Sequence, residues 1–111
     1  MSAVALFVLL LLAPLLEEMV FRRGVHAWAL RHWGSGARRW WAWPSRVNVA
    51  VALLFAAAHL LRLPLSLAMA VVLPALVIGK VYEMTGRLGP CVAAHAALNL
   101  CWVGFNAGLA N

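Results

Sequence analysis

The stretch LPLSLAMAVVLPALVIG, residues 63–79, carries no charged side chain. It reads as a helix opened by Pro64, because proline fits the first turn, where its missing N–H leaves no bond unmade. Pro74 is expected to kink it from within. The stretch falls short of the ~20 residues that cross a bilayer comfortably. It must therefore extend into its flanks, tilt, or thin the membrane. Working outward, residues 47–61 are apolar apart from Asn48 and His59. Residues 88–111 have no formal charge and carry His95, Asn99 and Asn106. Residues 2–16 are uncharged and continue in helical character to about Trp33. Four apolar segments of this kind define an all-α integral membrane bundle of about four transmembrane helices, in one domain spanning residues 1–111.

Composition leads to the same place. Of 111 residues, 66% are hydrophobic and 11% charged, with a mean hydropathy of +0.91. A soluble domain carries about a quarter charged residues. A packed core of this size cannot hide so much apolar surface, so lipid is the expected solvent. Disordered chains, collagen-like chains and ordinary cytosolic enzymes are excluded. Residues 1–16 lack a basic leader and a small-x-small cleavage site, and read as a retained helix.

Nine basic residues face three acidic ones, a net charge of +6. The basic residues lie mostly between apolar segments, where the positive-inside rule expects them. Nucleic acid is therefore not an expected partner. Arg31, Arg38, Arg39 and Arg46 border the first connection; Lys80 and Arg87 border the third, partly offset by Glu83. Only Arg62 occupies the second. The side of the first and third connections is expected to be cytoplasmic, with both chain ends outside, in a bacterial cytoplasmic membrane. Gly34 to Gly36 end the first helix, and Arg38, Arg39, Trp40, Trp41 and Trp43 form a basic, indole-rich interfacial loop. Ser45 caps the second helix behind Pro44. Gly86 and Gly89-Pro90 separate the third from the fourth.

Small residues mark packing faces. Gly104 and Gly108 form a G-x-x-x-G pair that permits close helix approach, and a homo-oligomer is compatible with it. Cys91 and Cys101 are ten positions apart on one helix, about 15 Å of rise. That is too far for a disulfide, and both read as buried filler.

The informative residues are polar ones in apolar surroundings. An ionisable group at membrane depth costs at least ~2.5 kcal/mol. Two of the three acids, Glu17 and Glu18, stand side by side. Glu18 and Arg22 are four apart and pair on one helix face. Glu17 lies ~100° around the helix and stays available. Taken alone, this cluster also reads as the charged end of a span. His59 follows Phe55 by one turn and, taken alone, also reads as a water-satisfied histidine at a helix end. His95 and Asn99 share a face with Trp102 and Asn106, and interhelical hydrogen bonding explains Asn106 well.

Together these residues fit a hydrolase that activates water. A carboxylate and a histidine hold and deprotonate the water. A second histidine and an amide donate to the oxyanion. No serine lies in the cluster to serve as nucleophile.

In order along the chain, Glu17-Glu18-Met19-Val20-Phe21-Arg22 reads E-E-x-x-x-R, Phe55 to His59 reads F-x-x-x-H, and His95 to Asn99 reads H-x-x-x-N. Residues 79–88 read G-x-x-Y-E-x-T-G-x-L. This set resembles the CPBP family of intramembrane endopeptidases. That family includes the type II CAAX prenyl proteases and the lysostaphin resistance protein A-like proteins. The resemblance implies that Glu17 is the catalytic glutamate and His59 its partner in activating water. It implies that His95 and Asn99 form the oxyanion site, that Glu18 and Arg22 support Glu17, and that Phe55 packs beside it. It implies a peptide or protein substrate associated with the membrane, CAAX-like, a bacteriocin or a sorting signal. No cofactor is implied, and metal is not expected, since H-E-x-x-H is absent. Two other readings use the same residues: a non-catalytic membrane immunity or scaffold protein, and a proton or cation pathway through Glu17, His59 and His95.

Overall fold

The computed structural model describes residues 1–34 and 41–110, in which helices account for nearly the whole chain. Helix α1 runs Ala3–Trp33. Ser2 caps it by accepting the N–H of Ala5, and Gly34, at φ 141°, ends it. It widens twice into i→i+5 hydrogen bonding, over Val8–Leu12 and Met19–His26. Helix α2 spans Arg46–Ala58, with a 3₁₀ turn over His59–Leu61. As expected, Ser45 caps it through the N–H of Asn48, at 2.9 Å. Helix α3 spans Leu65–Thr85 behind Pro64. Helix α4 spans Leu88–Ala110.

Two boundaries differ from expectation. Gly86 alone breaks α3 from α4, in the left-handed conformation that glycine adopts freely (φ 65°). Gly89 and Pro90 already belong to the first turn of α4, where proline sacrifices no helical bond. Lys80 and Glu83 lie in the last turns of α3 rather than in a connection. Of the expected interfacial loop, Arg38, Arg39 and Trp40 lie outside the described residues. Trp41 and Trp43 are exposed.

Contacts fix the directions of the helices. Asn99 meets Leu9 and His95 meets Glu18, so α4 runs antiparallel to α1. Arg22 meets Ala75 and His26 meets Glu83, so α3 runs parallel to α1. Phe21 packs on Phe55, and Ala29 on Val47 and Val51, which sets α2 antiparallel to α1. The basic ends consequently gather at one pole, where Lys80 donates to the Ala42 carbonyl.

The bundle is polar inside and apolar outside. Glu18, Arg22, His26, Asn48 and His95 are buried. Leu11, Leu16, Leu53, Leu73 and Val77 are exposed. Water would invert that distribution; lipid stabilises it. Three helices, α1, α3 and the segment Leu88–Gly108, are long and apolar enough to cross a membrane, and α2 is shorter. The bundle extends 45 Å along its long axis, enough to cover a hydrocarbon core of about 30 Å.

Small residues bring α2 and α3 together. Ala52 and Ala75 are fully buried beside Phe55. At Gly79 the approach is closer still. A Cβ there would collide with the Asn48 side chain and lie 3.2 Å from an Arg22 nitrogen. Gly79→Ala is expected to lower stability by about 1–3 kcal/mol through overpacking. Thermal unfolding in detergent measures this, and Asn48→Ala in the same chain should return part of the loss. Gly104 and Gly108 do not mediate approach among the described residues: an added Cβ at either meets open space.

Candidate active site

Helix α1 carries the frame of the site. Glu18, Arg22 and His26 recur every fourth residue. On a regular α-helix each such step advances ~40° around the axis. The wider i→i+5 segment over Met19–His26 reduces that drift and keeps the three side chains on the bundle-facing side. All three are fully buried.

Their charges are matched. Arg22 donates Nε–H to Glu18 Oε1 at 2.9 Å, and a second nitrogen donates to the Ala75 carbonyl at 2.9 Å. The third stands 3.2 Å from His26 Nδ1. A guanidinium has only donors, so His26 Nδ1 accepts. The ring proton therefore sits on Nε2, which donates to Glu83 Oε2 at 2.7 Å. Ser45 Oγ–H donates to the same carboxylate oxygen at 2.6 Å. A buried polar chain thus runs from Glu18 through Arg22 and His26 to Glu83 and Ser45, tying α1, α3 and the start of α2. The pairing of Glu18 with Arg22 matches the expectation from their spacing. His26, Glu83 and Ser45 were not singled out as site residues. The usable signal was the continuation of the four-residue stride from Arg22 to His26.

At the other end of the chain stands His95. Its Nδ1 lies 2.7 Å from Glu18 Oε2, and its Nε2 lies 3.2 Å from Glu17 Oε2. A neutral imidazole donates from one nitrogen only. Satisfying both carboxylates requires a second proton, on the ring or on a carboxyl. Of the two contacts, the one through Nδ1 is a hydrogen bond, while Nε2 stands at ion-pair distance from Glu17. Glu17 also meets Arg62 at 3.5 Å and is the more exposed of the two glutamates, at 24% of its side chain against 0%.

His59 ends α2, and its Nδ1 donates to the Phe55 carbonyl at 2.8 Å. In the neutral ring this leaves Nε2 as a lone-pair acceptor. Phe55 sits among the site residues. Its ring centroid lies 4.7 Å from that of His59 and 5.9 Å from that of His95, and the Arg22 guanidinium carbon is 5.8 Å away. It shields the buried charges with an aromatic face.

Asn99 has a structural tie to α1. Its Nδ2 donates to the Leu9 carbonyl at 2.8 Å. The N–H of Ala13 bonds Val8 in the widened turn, and the next residue, Pro14, has no N–H. Leu9 O is therefore left without a helical donor, and Asn99 supplies one. The amide keeps a second N–H. Replacing Asn99 by Leu should cost about 1 kcal/mol. In a Pro14→Ala background, where residue 14 regains its N–H, the cost should shrink toward zero in unfolding measurements.

Glu17, His59, Arg62, His95 and Asn99 line one cavity of about 480 Å³. Its remaining walls are apolar, among them Leu9, Leu67, Val71, Leu98, Trp102 and Phe105. The end of the short α2 and the turn after it contribute Phe55, His59, Arg62 and Leu63 to the cavity wall. Asn106 is not part of the lining. It donates to the Trp102 carbonyl within α4 instead of bridging helices. Among the described residues, no three His, Cys, Asp or Glu side chains are arranged to hold a metal ion. Both cysteines are free, Cys91 buried and Cys101 exposed at the cavity wall.

Acid–base side chains from three helices thus line one cavity inside an all-α bundle. Residues 1–101 match the profile of the type II CAAX prenyl endopeptidase Rce1-like family. The chain belongs to that family, whose general activity is CAAX-type intramembrane proteolysis. No curated protein and no solved structure matches the chain.

Proposed function

We propose that this chain is a glutamate-dependent intramembrane endopeptidase acting on a membrane-associated peptide: a CAAX-like chain, a bacteriocin or a sorting signal. The observation that carries the reading is the cavity shared by Glu17, His59, His95 and Asn99. Glu17 and His59 hold a water molecule. As its oxygen attacks the scissile carbonyl carbon, its proton passes to this pair. The carbonyl oxygen becomes an oxyanion, met by the spare Asn99 N–H and by His95 Nε2 as it leaves Glu17. The C–N bond then breaks, and the amine departs with the proton that Glu17 and His59 took from the water. The buried chain through Arg22 holds Glu18, which holds His95.

The test uses protein reconstituted in nanodiscs with fluorescent membrane peptides, and mass spectrometry of the products. A new amino terminus that depends on Glu17 supports the reading. Absence of cleavage across prenylated and unprenylated peptides, with binding retained, would select the non-catalytic alternative.

A further inference from the structure

Among the described residues, Arg62 is the cavity's one cationic side chain of fixed charge, and Glu17 its one carboxylate. It sits just past the 3₁₀ turn that ends α2, where its N–H and that of Leu63 both bond the His59 carbonyl. This places its backbone three residues from His59 and lets its side chain reach across to Glu17. The reach is loose: one nitrogen at 3.5 Å, with 68% of the side chain exposed. A guanidinium has five N–H donors, and Glu17 is its only partner among the described residues. A pair this open is weakly held and easily exchanged. Glu18 and Glu83 are committed to Arg22 and His26, so the chain has no other acid to offer Arg62. An arginine fork with unused donors, largely exposed and lining the same cavity as Glu17, fits a carboxylate best.

We propose that Arg62 is the anchor for a carboxylate on the substrate, lying within a few residues of the cleaved bond. This deepens the endopeptidase reading and rests on it. Binding of the substrate carboxylate draws the guanidinium from Glu17, so the same event that seats the peptide releases the Glu17 oxygen to hold water. The carboxylate is a chain end or an acidic side chain; the chemistry is shared.

The test uses the full chain in phosphatidylcholine nanodiscs and fluorescein-labelled heptapeptides of Ala, Leu and Val. One ends in a free carboxylate, one in an amide, one in Asp-amide and one in Lys-amide. Anisotropy gives affinity, and mass spectrometry of the same samples gives cleavage. The free acid is expected to bind about tenfold tighter than the amide. Arg62→Gln should erase that ratio, and Arg62→Glu should shift preference to the Lys-amide peptide. If the Asp-amide peptide binds like the free acid, a side-chain carboxylate serves; if it binds like the amide, the chain end is the ligand. Equal affinities for acid and amide in the parent overturn the anchor, as does a ratio that Arg62→Gln leaves unchanged. A parent ratio of one, with Arg62→Gln altering only the response to added phosphatidylglycerol, assigns the guanidinium to lipid phosphate and also overturns it. Carboxylate-dependent binding without cleavage supports the anchor and counts against the endopeptidase reading instead.

Discussion

Glu17→Gln is expected to lower peptide cleavage by about three orders of magnitude or more, a fall of the size seen when a general base and its water are lost together. Membrane insertion and unfolding temperature should barely change. The substitution keeps the side chain's shape and leaves an oxygen to accept from His95 and Arg62. It removes only the capacity to take a proton. The two contacts are long, 3.2 and 3.5 Å, and the side chain is partly exposed, so little stability rests on them. His59→Ala should fall by a similar factor in kcat, because Nε2 is the acceptor that helps position the water. The double variant should be little worse than either single one, since groups acting on one water are not additive. Parental rates in purified Glu17→Gln would place the base elsewhere and end the proposed mechanism.

The sequence spells out some of this geometry and hides the rest, for physical reasons. Helices are legible because each apolar run must satisfy its own backbone in lipid. Glu18 and Arg22 are legible because their pairing is local, one turn along a single helix. The Arg22–His26–Glu83–Ser45 extension is not, since His26 and Glu83 are 57 positions apart and meet only when α1 and α3 run parallel. Asn99 shows a different limit. Its motif spacing suggests a group aimed at substrate, yet one N–H is spent on the Leu9 carbonyl. That need arises from Pro14, on the helix whose Leu9 lies 90 positions from Asn99, through a change in hydrogen-bond register that no apolar pattern reports. Gly104 and Gly108 mislead in the opposite sense. Small residues permit contact without requiring it, and here no described residue lies near the Cβ position of either.

The second large effect concerns the buried ion pair. Arg22→Met should cost about 3–5 kcal/mol, because it strands the Glu18 carboxylate, fully buried, with His95 as its remaining charged or hydrogen-bonded partner. Glu18→Leu should cost a similar amount by stranding the guanidinium. Replacing both removes two buried charges at once, so Glu18→Leu with Arg22→Met should recover a large part of the loss in thermal unfolding. Activity should not recover with it, since His95 Nδ1 loses the carboxylate 2.7 Å away that orients the ring. His26 divides structure from positioning more finely. His26→Leu leaves an Arg22 nitrogen and Glu83 without their bridge, whereas His26→Gln offers an amide oxygen to Arg22 and an amide N–H to Glu83. The glutamine variant should keep most of the stability and much of the kcat that leucine loses. Equal damage from both would mean that the ring's bulk, not its two hydrogen bonds, holds Arg22 in place. A stable double variant that still cleaves at the parental rate would show that His95 does not depend on Glu18 for its orientation.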